Sequence, residues 1–166
     1  MRLRSLKQLL DIVKAMARPR QITVLGSSSL LAGNPDLGEK GRPLELSLDA
    51  DMLVEPCDSG QAAVLHEAIG EGSLFHREYG VYADFMRPDI LETFPVGWEK
   101  RCVVLGRDRS VRCLNPIDLA IMKLKAGYGA ALGAPPVGRE SRAKYGRATP
   151  GSVVRKSSRA KPRTRI

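Results

Sequence analysis

The sequence predicts an α/β (α+β) fold in which short strands are backed by helices. Apolar runs at 22–25 and 44–54 have the composition of buried strands. Around them, apolar residues recur at the spacing of amphipathic helices, first over 3–17 and again over 62–69. A chain of 166 residues is long enough to bury one core, so we expect a single domain with one short tail.

The other elements follow in order along the chain. The first helix ends before Pro19, and the run at 22–25 leads into a Gly-Ser turn. The elements predicted after that turn are a brief helix at 27–32, a Gly- and Pro-rich loop at 33–43, the central strand at 44–54, a helix at 62–69 with Asp58 or Ser59 as N-cap, a strand at 79–86 bent at Gly80, and a hairpin over 101–114. Trp98 is interpreted as a packing anchor.

Asn115 and Pro116 predict the start of a last helix, because Asn is a favoured N-cap and Pro suits the first helical position. Asp118 stands in the first turn, where an acid is favourable, so we interpret it as a helix-start residue rather than a ligand. We expect the helix to end at Gly127. The segment that follows has few apolar residues and is predicted to be disordered.

The positive charge of the chain lies in this tail. Residues 1–125 hold 17 basic and 17 acidic side chains, whereas 126–166 hold ten basic side chains against Glu140. We therefore divide the chain into a neutral domain at 1–126 and a basic tail at 127–166, which can bind polyanions nonspecifically. A nucleic-acid-binding domain is the weakest alternative, since the neutral part offers no interleaved aromatic platform.

Cysteine and histidine content predicts no further chemistry. The three cysteines are widely spaced and form no Cys-x-x-Cys pair, so neither a disulfide framework nor a zinc site is expected. His66 falls in a helical pattern and His76 beside the third strand, and neither has the partners of a catalytic histidine. No segment approaches the roughly 20 apolar residues of a membrane span. We expect a cytoplasmic protein without a membrane partner.

Asp49 and Asp51 are separated by one residue in the predicted central strand. Alternate residues of a strand point to the same face, so both carboxylates lie on one side of an otherwise apolar segment. Two like charges this close indicate a bound cation. The Gly-Ser turn at 26–29 offers backbone N–H groups and hydroxyls that suit a phosphate. Each feature alone is common in ordinary structure, but together they predict a metal-dependent nucleotide site.

These features, with a third acid in a later strand, resemble the nucleotidyltransferase superfamily that includes DNA polymerase beta and the tRNA nucleotidyltransferases. The matching segments are Val24-Leu25-Gly26-Ser27, Asp49-Ala50-Asp51 and Ala83-Asp84-Phe85. Segments at 49–53, 95–101 and 115–124 further resemble an uncharacterised bacterial group of such domains, related to the AbiEii-type toxins of toxin–antitoxin systems. The resemblance implies a short mixed sheet backed by helices.

The resemblance also implies an activity, the Mg²⁺-dependent transfer of a nucleoside monophosphate from an NTP to a hydroxyl acceptor on RNA or protein. Asp49 and Asp51 would hold Mg²⁺ together with the nucleotide. Asp84 would help to bind the catalytic Mg²⁺ and orient the acceptor. A toxin or antitoxin partner is a further implication of the family.

Gly26 and Ser27 would grip the triphosphate, and Lys123 would neutralise its charge. Two of the implied assignments compete with plainer interpretations, namely Asp84 as a solvated residue of an edge strand and Lys123 as a solvated helix charge. The loop at 34–41 lengthens the connection between turn and acids relative to most superfamily members. It could cover or crowd the nucleotide.

The similarity stops after the Lys-Leu pair at 123–124, where the closing helices of the superfamily are missing. One hypothesis is that the tail is an out-of-frame reading of a GC-rich gene. Such a frameshift would remove part of the cap that packs on Ile117, Ile121 and Leu124. The alternative function is therefore a catalytically inactive or truncated domain that acts as a partner-binding or regulatory protein.

Overall fold

The computed structural model describes residues 1–131, which fold around a five-stranded mixed sheet. Its strands are β1 (Gln21–Val24), β2 (Asp49–Glu55), β3 (Tyr82–Phe85), β4 (Val103–Val104) and β5 (Val111–Cys113). Their spatial order is β3-β2-β1-β5-β4. β1 is antiparallel to β2 and parallel to β5, while β2 is parallel to β3 and β4 is antiparallel to β5. The predicted fold class, a mixed sheet with helices, is confirmed.

Helices cover both faces of this sheet. The α-helices are α1 (Leu3–Ala17), α2 (Ser59–Ile69), α3 (Leu74–Tyr79), α4 (Trp98–Arg101) and α5 (Pro116–Ala131), and short 3₁₀ helices span Ser27–Ala32, Pro35–Gly38 and Pro88–Thr93. Asp58 is the N-cap of α2, where its Oδ1 atom accepts a hydrogen bond from the Gln61 N–H at 2.8 Å.

Strand alternation divides the apolar residues into two cores. Ile22, Val24 and Met52 belong to the larger core, which α1 and α2 complete. The smaller core lies on the opposite face, and its buried members are Leu25, Leu53, Phe94, Trp98, Leu114 and Leu119. Trp98 packs edge-on against Phe94 at 4.7 Å between ring centroids, which confirms its role as a packing anchor. The acidic positions of β2 lie on the same face as this smaller core.

The central strand is shorter than predicted, since β2 begins at Asp49 rather than at residue 44. Residues 44–46 form turns instead. The N-terminal ammonium of Met1 donates hydrogen bonds to the carbonyl oxygens of Leu44 and Glu45, so these groups find partners outside the sheet. A Cβ atom at Gly38 would lie 2.9 Å from the Arg2 Cα atom, which shows how closely the connecting loop packs on the N-terminal segment.

The third strand was also predicted too long, because Tyr79 ends α3 and β3 begins only at Tyr82. Gly80 caps α3 with a φ of 69°, a left-handed conformation that favours glycine. The bend predicted at Gly80 is therefore a helix end. His76 lies within α3, where its ring contacts that of Tyr82 in β3 at 4.6 Å between centroids and its Nδ1 atom accepts a hydrogen bond from the Gly72 N–H at 3.0 Å.

The start of α5 agrees with the prediction, since Asn115 Oδ1 accepts a hydrogen bond from the Ile117 N–H at 2.9 Å. Its predicted end at Gly127 is wrong, because the helix continues to Ala131. An interior glycine costs a helix only about 1 kcal/mol relative to alanine, and the alanines at 130–131 favour helix. Residues 128–131 therefore continue α5. The rest of the predicted tail lies outside the described residues.

Asp118 is buried to 1% exposure and forms a two-pronged ion pair with Arg101. The Arg101 Nε and Nη2 atoms donate to the two carboxylate oxygens at 2.9 and 2.6 Å. Arg101 also donates to the carbonyl oxygen of Val96 at 3.2 Å. The predicted helix-start acid therefore fastens α5 to the segment that carries Trp98.

We expect Arg101→Met to lower the free energy of unfolding severalfold more than the loss of a surface ion pair does, because it leaves the buried Asp118 carboxylate without its partner. Urea denaturation followed by circular dichroism measures the change. The matched control is Arg87→Met, since Arg87 and Asp89 form an ion pair with both side chains exposed, and its loss should cost at most about 0.5 kcal/mol. Equal effects from the two substitutions would contradict this role for Arg101.

Cys57, Cys102 and Cys113 are free thiols. Burial raises the pKa of the Cys113 thiol to about 12, so this side chain stays protonated and unreactive. Along residues 1–131, no helix combines the length and the apolar character needed to cross a membrane.

Candidate functional site

The site begins where β1 runs into the Gly-Ser turn. The Leu25 N–H donates to the Asp51 carbonyl oxygen at 2.9 Å, which extends the β1–β2 pairing by one residue and brings Gly26 against the Asp51 side chain. A Cβ atom at Gly26 would overlap the Asp51 Oδ2 atom and would lie 2.9 Å from its Cγ atom. The carboxylate therefore occupies the space that any other residue at position 26 would need.

The parallel pairing of β2 with β3 brings the third acid alongside. Asp51 stands opposite Asp84 in the register, and Asp49 stands opposite Tyr82. Neighbouring strands lie about 4.8 Å apart, and residues paired in this way project to the same face. Asp49, Asp51 and Asp84 are all half-buried on that face. The three sequence-predicted acids are thus brought to one end of the sheet.

The electrostatics of Asp51 reflect this crowding. The pKa of its carboxyl is raised from 3.8 to about 6, mainly by burial and in addition by the negative charges of Asp49 and Asp84. The positive charge of Lys123 opposes this shift of the pKa. A half-buried acid with two acidic neighbours is a group whose ionised form a cation would stabilise.

The carboxylates fit Mg²⁺ by their chemistry, since this ion prefers hard oxygen ligands. Within residues 1–131, no three His, Cys, Asp or Glu side chains converge closely enough to hold a metal ion by themselves. Mg²⁺ is commonly bound by one or two carboxylates together with substrate phosphates and water. The acids at this end of the sheet therefore suit a Mg²⁺ ion that arrives with a phosphate ligand.

The Gly-Ser turn contributes a hydroxyl beside the acids. Ser27 Oγ lies 3.2 Å from Ser47 Oγ, and the Ser47 hydroxyl donates to Asp49 Oδ1 at 3.4 Å. Ser28 and Ser29 are buried, and their hydroxyls have no hydrogen-bond partner in the described part of the chain. The accessible polar surface of the turn thus comes from Gly26 and Ser27, the two residues that the sequence singled out.

Ser47 was missed by the sequence analysis, because the segment before Asp49 was assigned to a strand. In the fold, Ser47 ends the loop that the Met1 ammonium holds, and it joins the turn to the acids. The loop predicted to crowd the nucleotide packs on the N-terminal segment through Gly38. The position of Ser47 two residues before Asp49 was the available signal, since alternate residues share a face.

A cavity of about 270 Å³ opens from Asp51 toward α5. It is lined by Leu25, Gly26, Asp51, Met86, Ile90, Thr93, Leu114, Leu119, Met122, Lys123, Lys125 and Ala126. Lys123, the predicted phosphate-neutralising residue, thus lines the same cavity as Gly26 and Asp51. Lys123 is exposed to solvent, and its positive charge lowers the pKa of Asp51.

Comparisons with protein-family models, with curated proteins and with solved structures gave no match. The resemblance to nucleotidyltransferases therefore rests on the motifs and stays a prediction.

Proposed function

We propose that the protein is a Mg²⁺-dependent nucleotidyltransferase that transfers a nucleoside monophosphate from an NTP to a hydroxyl acceptor on RNA or protein. The observation that carries this proposal is the contact between the Asp51 carboxylate and Gly26, with Asp84 beside Asp51 in the register. It joins an acidic metal-binding surface to a turn that suits phosphate, and the transfer of a nucleotidyl group requires both.

The three carboxylates would have different roles toward the metal ions. Asp49 and Asp51 would hold Mg²⁺ together with the triphosphate, and Asp84 would assist with the metal on the acceptor side. When bound, the Mg²⁺ ions supply a lowered pKa for the attacking hydroxyl and charge neutralisation for the departing pyrophosphate.

The turn and the last helix would contact the phosphates of the same nucleotide. The Gly26 backbone and the Ser27 hydroxyl would orient the phosphates. Ser47 would hold Ser27 and Asp49 in position through its hydrogen bonds to both side chains. Lys123 would offset phosphate charge from the cavity wall, consistent with its electrostatic effect on Asp51. A toxin–antitoxin setting, suggested by the family resemblance, belongs to the same proposal.

The second candidate is a catalytically inactive domain that binds a partner. It is favoured by the outward face of α5, where Ile117, Ile121 and Leu124 are 66%, 42% and 71% exposed. These residues recur at helical spacing and form an apolar stripe of the kind that partner proteins cover. Closing helices were expected to pack on this stripe in an intact family member.

Incubation with each labelled NTP, Mg²⁺ and cell extract tests the proposal. The wild type should label an acceptor, and Asp49→Ala/Asp51→Ala should reduce labelling by about 10³-fold. The control Asp11→Ala/Asp36→Ala removes the same charge from two exposed positions and should label like the wild type. Equal labelling by the site variant and the wild type would refute the mechanism. A wild type that transfers none of the four nucleotides would favour the partner-binding alternative.

A further inference from the structure

We propose that the cavity beside Asp51 holds the nucleobase and ribose of the NTP, and that it accepts all four bases with little discrimination. This inference rests on the proposed function and adds the position and the selectivity of the nucleoside. It follows from the two unlike ends of the site.

One end of the site is polar and the other is apolar. Ser27, Ser47 and Asp49 form the polar end, where the phosphates and Mg²⁺ would lie. Asp51 and Gly26 border both this end and the cavity. A ligand that spans the site should therefore carry a charged group at one end and, at the other, a flat face that apolar side chains can cover. An NTP has both, in its triphosphate and its nucleobase.

The size of the cavity suits a nucleoside. Its volume of about 270 Å³ is close to the lower end of pockets that bind small molecules, about 300 Å³. Its lining includes Leu25 and Leu114, which directly follow β1 and β5, together with Met86, Ile90 and Met122. Methionine side chains adapt their shape to flat ligands of different outline.

The lining offers little with which to distinguish one base from another. The Thr93 hydroxyl already donates to the Ile90 carbonyl oxygen at 2.6 Å. The lysines carry donors on flexible stems, and the Lys125 ammonium reaches the Thr93 carbonyl oxygen at 3.4 Å. Fixed hydrogen bonds are what give strong discrimination, whereas apolar walls separate ligands only by size. We therefore expect dissociation constants for the four NTPs to agree within about tenfold.

Filling the cavity tests the inference. Met122→Trp places an indole in the cavity, and Ala126→Phe narrows it from one helical turn further along α5. Leu124→Trp is the matched control, because Leu124 lies on the same helix, is 71% exposed and does not line the cavity. Calorimetric titration of the full chain with ATP, GTP, CTP, UTP and inorganic tripolyphosphate, each with Mg²⁺, gives the affinities. Asp49→Ala/Asp51→Ala provides the baseline for nonspecific binding by the basic tail.

We expect both filling variants to raise the dissociation constant of every NTP by about tenfold or more. The dissociation constant of tripolyphosphate should change by less than about twofold, and the control variant should bind all ligands like the wild type. Thermal unfolding verifies that the variants fold. If Met122→Trp does not fold, Ala126→Phe carries the test, because its position is exposed. NTP affinities unaffected by filling would overturn the placement of the nucleoside. One NTP bound more than about a hundredfold tighter than the rest would overturn the low selectivity. If neither tripolyphosphate nor any NTP binds above the baseline, the proposed function itself fails.

Discussion

Gly26→Ala should reduce nucleotidyl transfer by about 10²-fold, the order expected when a reacting group is displaced by about 1 Å. The added Cβ atom would overlap Asp51 Oδ2, so the carboxylate must rotate away from the turn that faces it. The steric cost should lower the free energy of unfolding by about 1–3 kcal/mol. Transfer assays with labelled NTP and urea denaturation measure the two effects separately.

Two comparisons isolate the cause of that loss. Gly33→Ala makes the same substitution at the end of the 3₁₀ helix Ser27–Ala32, where a Cβ atom meets nothing within 4 Å, and it should leave activity intact. In an Asp51→Ala background, Gly26→Ala should cost little stability, because the group it overlaps is gone. Additive costs of the two substitutions would show that the contact between Gly26 and Asp51 is not responsible.

Asp51→Asn should abolish transfer yet stabilise the fold by about 2 kcal/mol at pH 7–8. The raised pKa of Asp51, about 6 in the folded protein against an ordinary 3.8, means that the fold favours the protonated carboxyl. Between these two pH values the folded state binds more protons than the unfolded state, so the free energy of unfolding of the wild type falls as pH rises. The stabilisation by Asn, which cannot ionise, should therefore be fully present above about pH 6 and lost below about pH 4.

Urea denaturation of both proteins across this pH range measures the difference. Asp11→Asn, a change at an exposed acid of α1, is the control and should show no comparable gain at pH 7–8. Millimolar Mg²⁺ with a nucleotide should reduce the difference in free energy of unfolding between Asp51→Asn and the wild type, because it stabilises the wild type alone. A wild type that is more stable than Asp51→Asn at pH 8 without added ligand would contradict the assigned environment of Asp51.

The acidic end of the site could be predicted from sequence because its signals are local. The one-residue spacing of Asp49 and Asp51 placed them on one face, and the Gly-Ser turn marked the end of β1. Capping chemistry likewise placed the start of α5 at Asn115. The neighbourhood of Asp84 required the parallel register of β3, which the family pattern supplied and composition alone does not.

The start of β2, the Arg101–Asp118 ion pair and the cavity could not be predicted from the sequence, because they depend on contacts between distant segments. The Met1 ammonium holds Leu44 and Glu45 out of the sheet, so the strand pattern that begins at 44 is overridden by a tertiary interaction. Arg101 and Asp118 are 17 positions apart and pair only after α4 and α5 have packed. The cavity is enclosed by side chains from several elements, and no single stretch of sequence marks it.

The two sides of the sheet are held in different ways. α1 and α2 complete the larger core on one face. α5 is held on the other face by the smaller core and by the ion pair between Arg101 and Asp118. Loosening of α5 would therefore widen the cavity and carry Lys123 outward while the strands that bear the carboxylates keep their register. We expect ligand entry and product escape to follow this local opening, with the sheet acting as the stationary wall of the site.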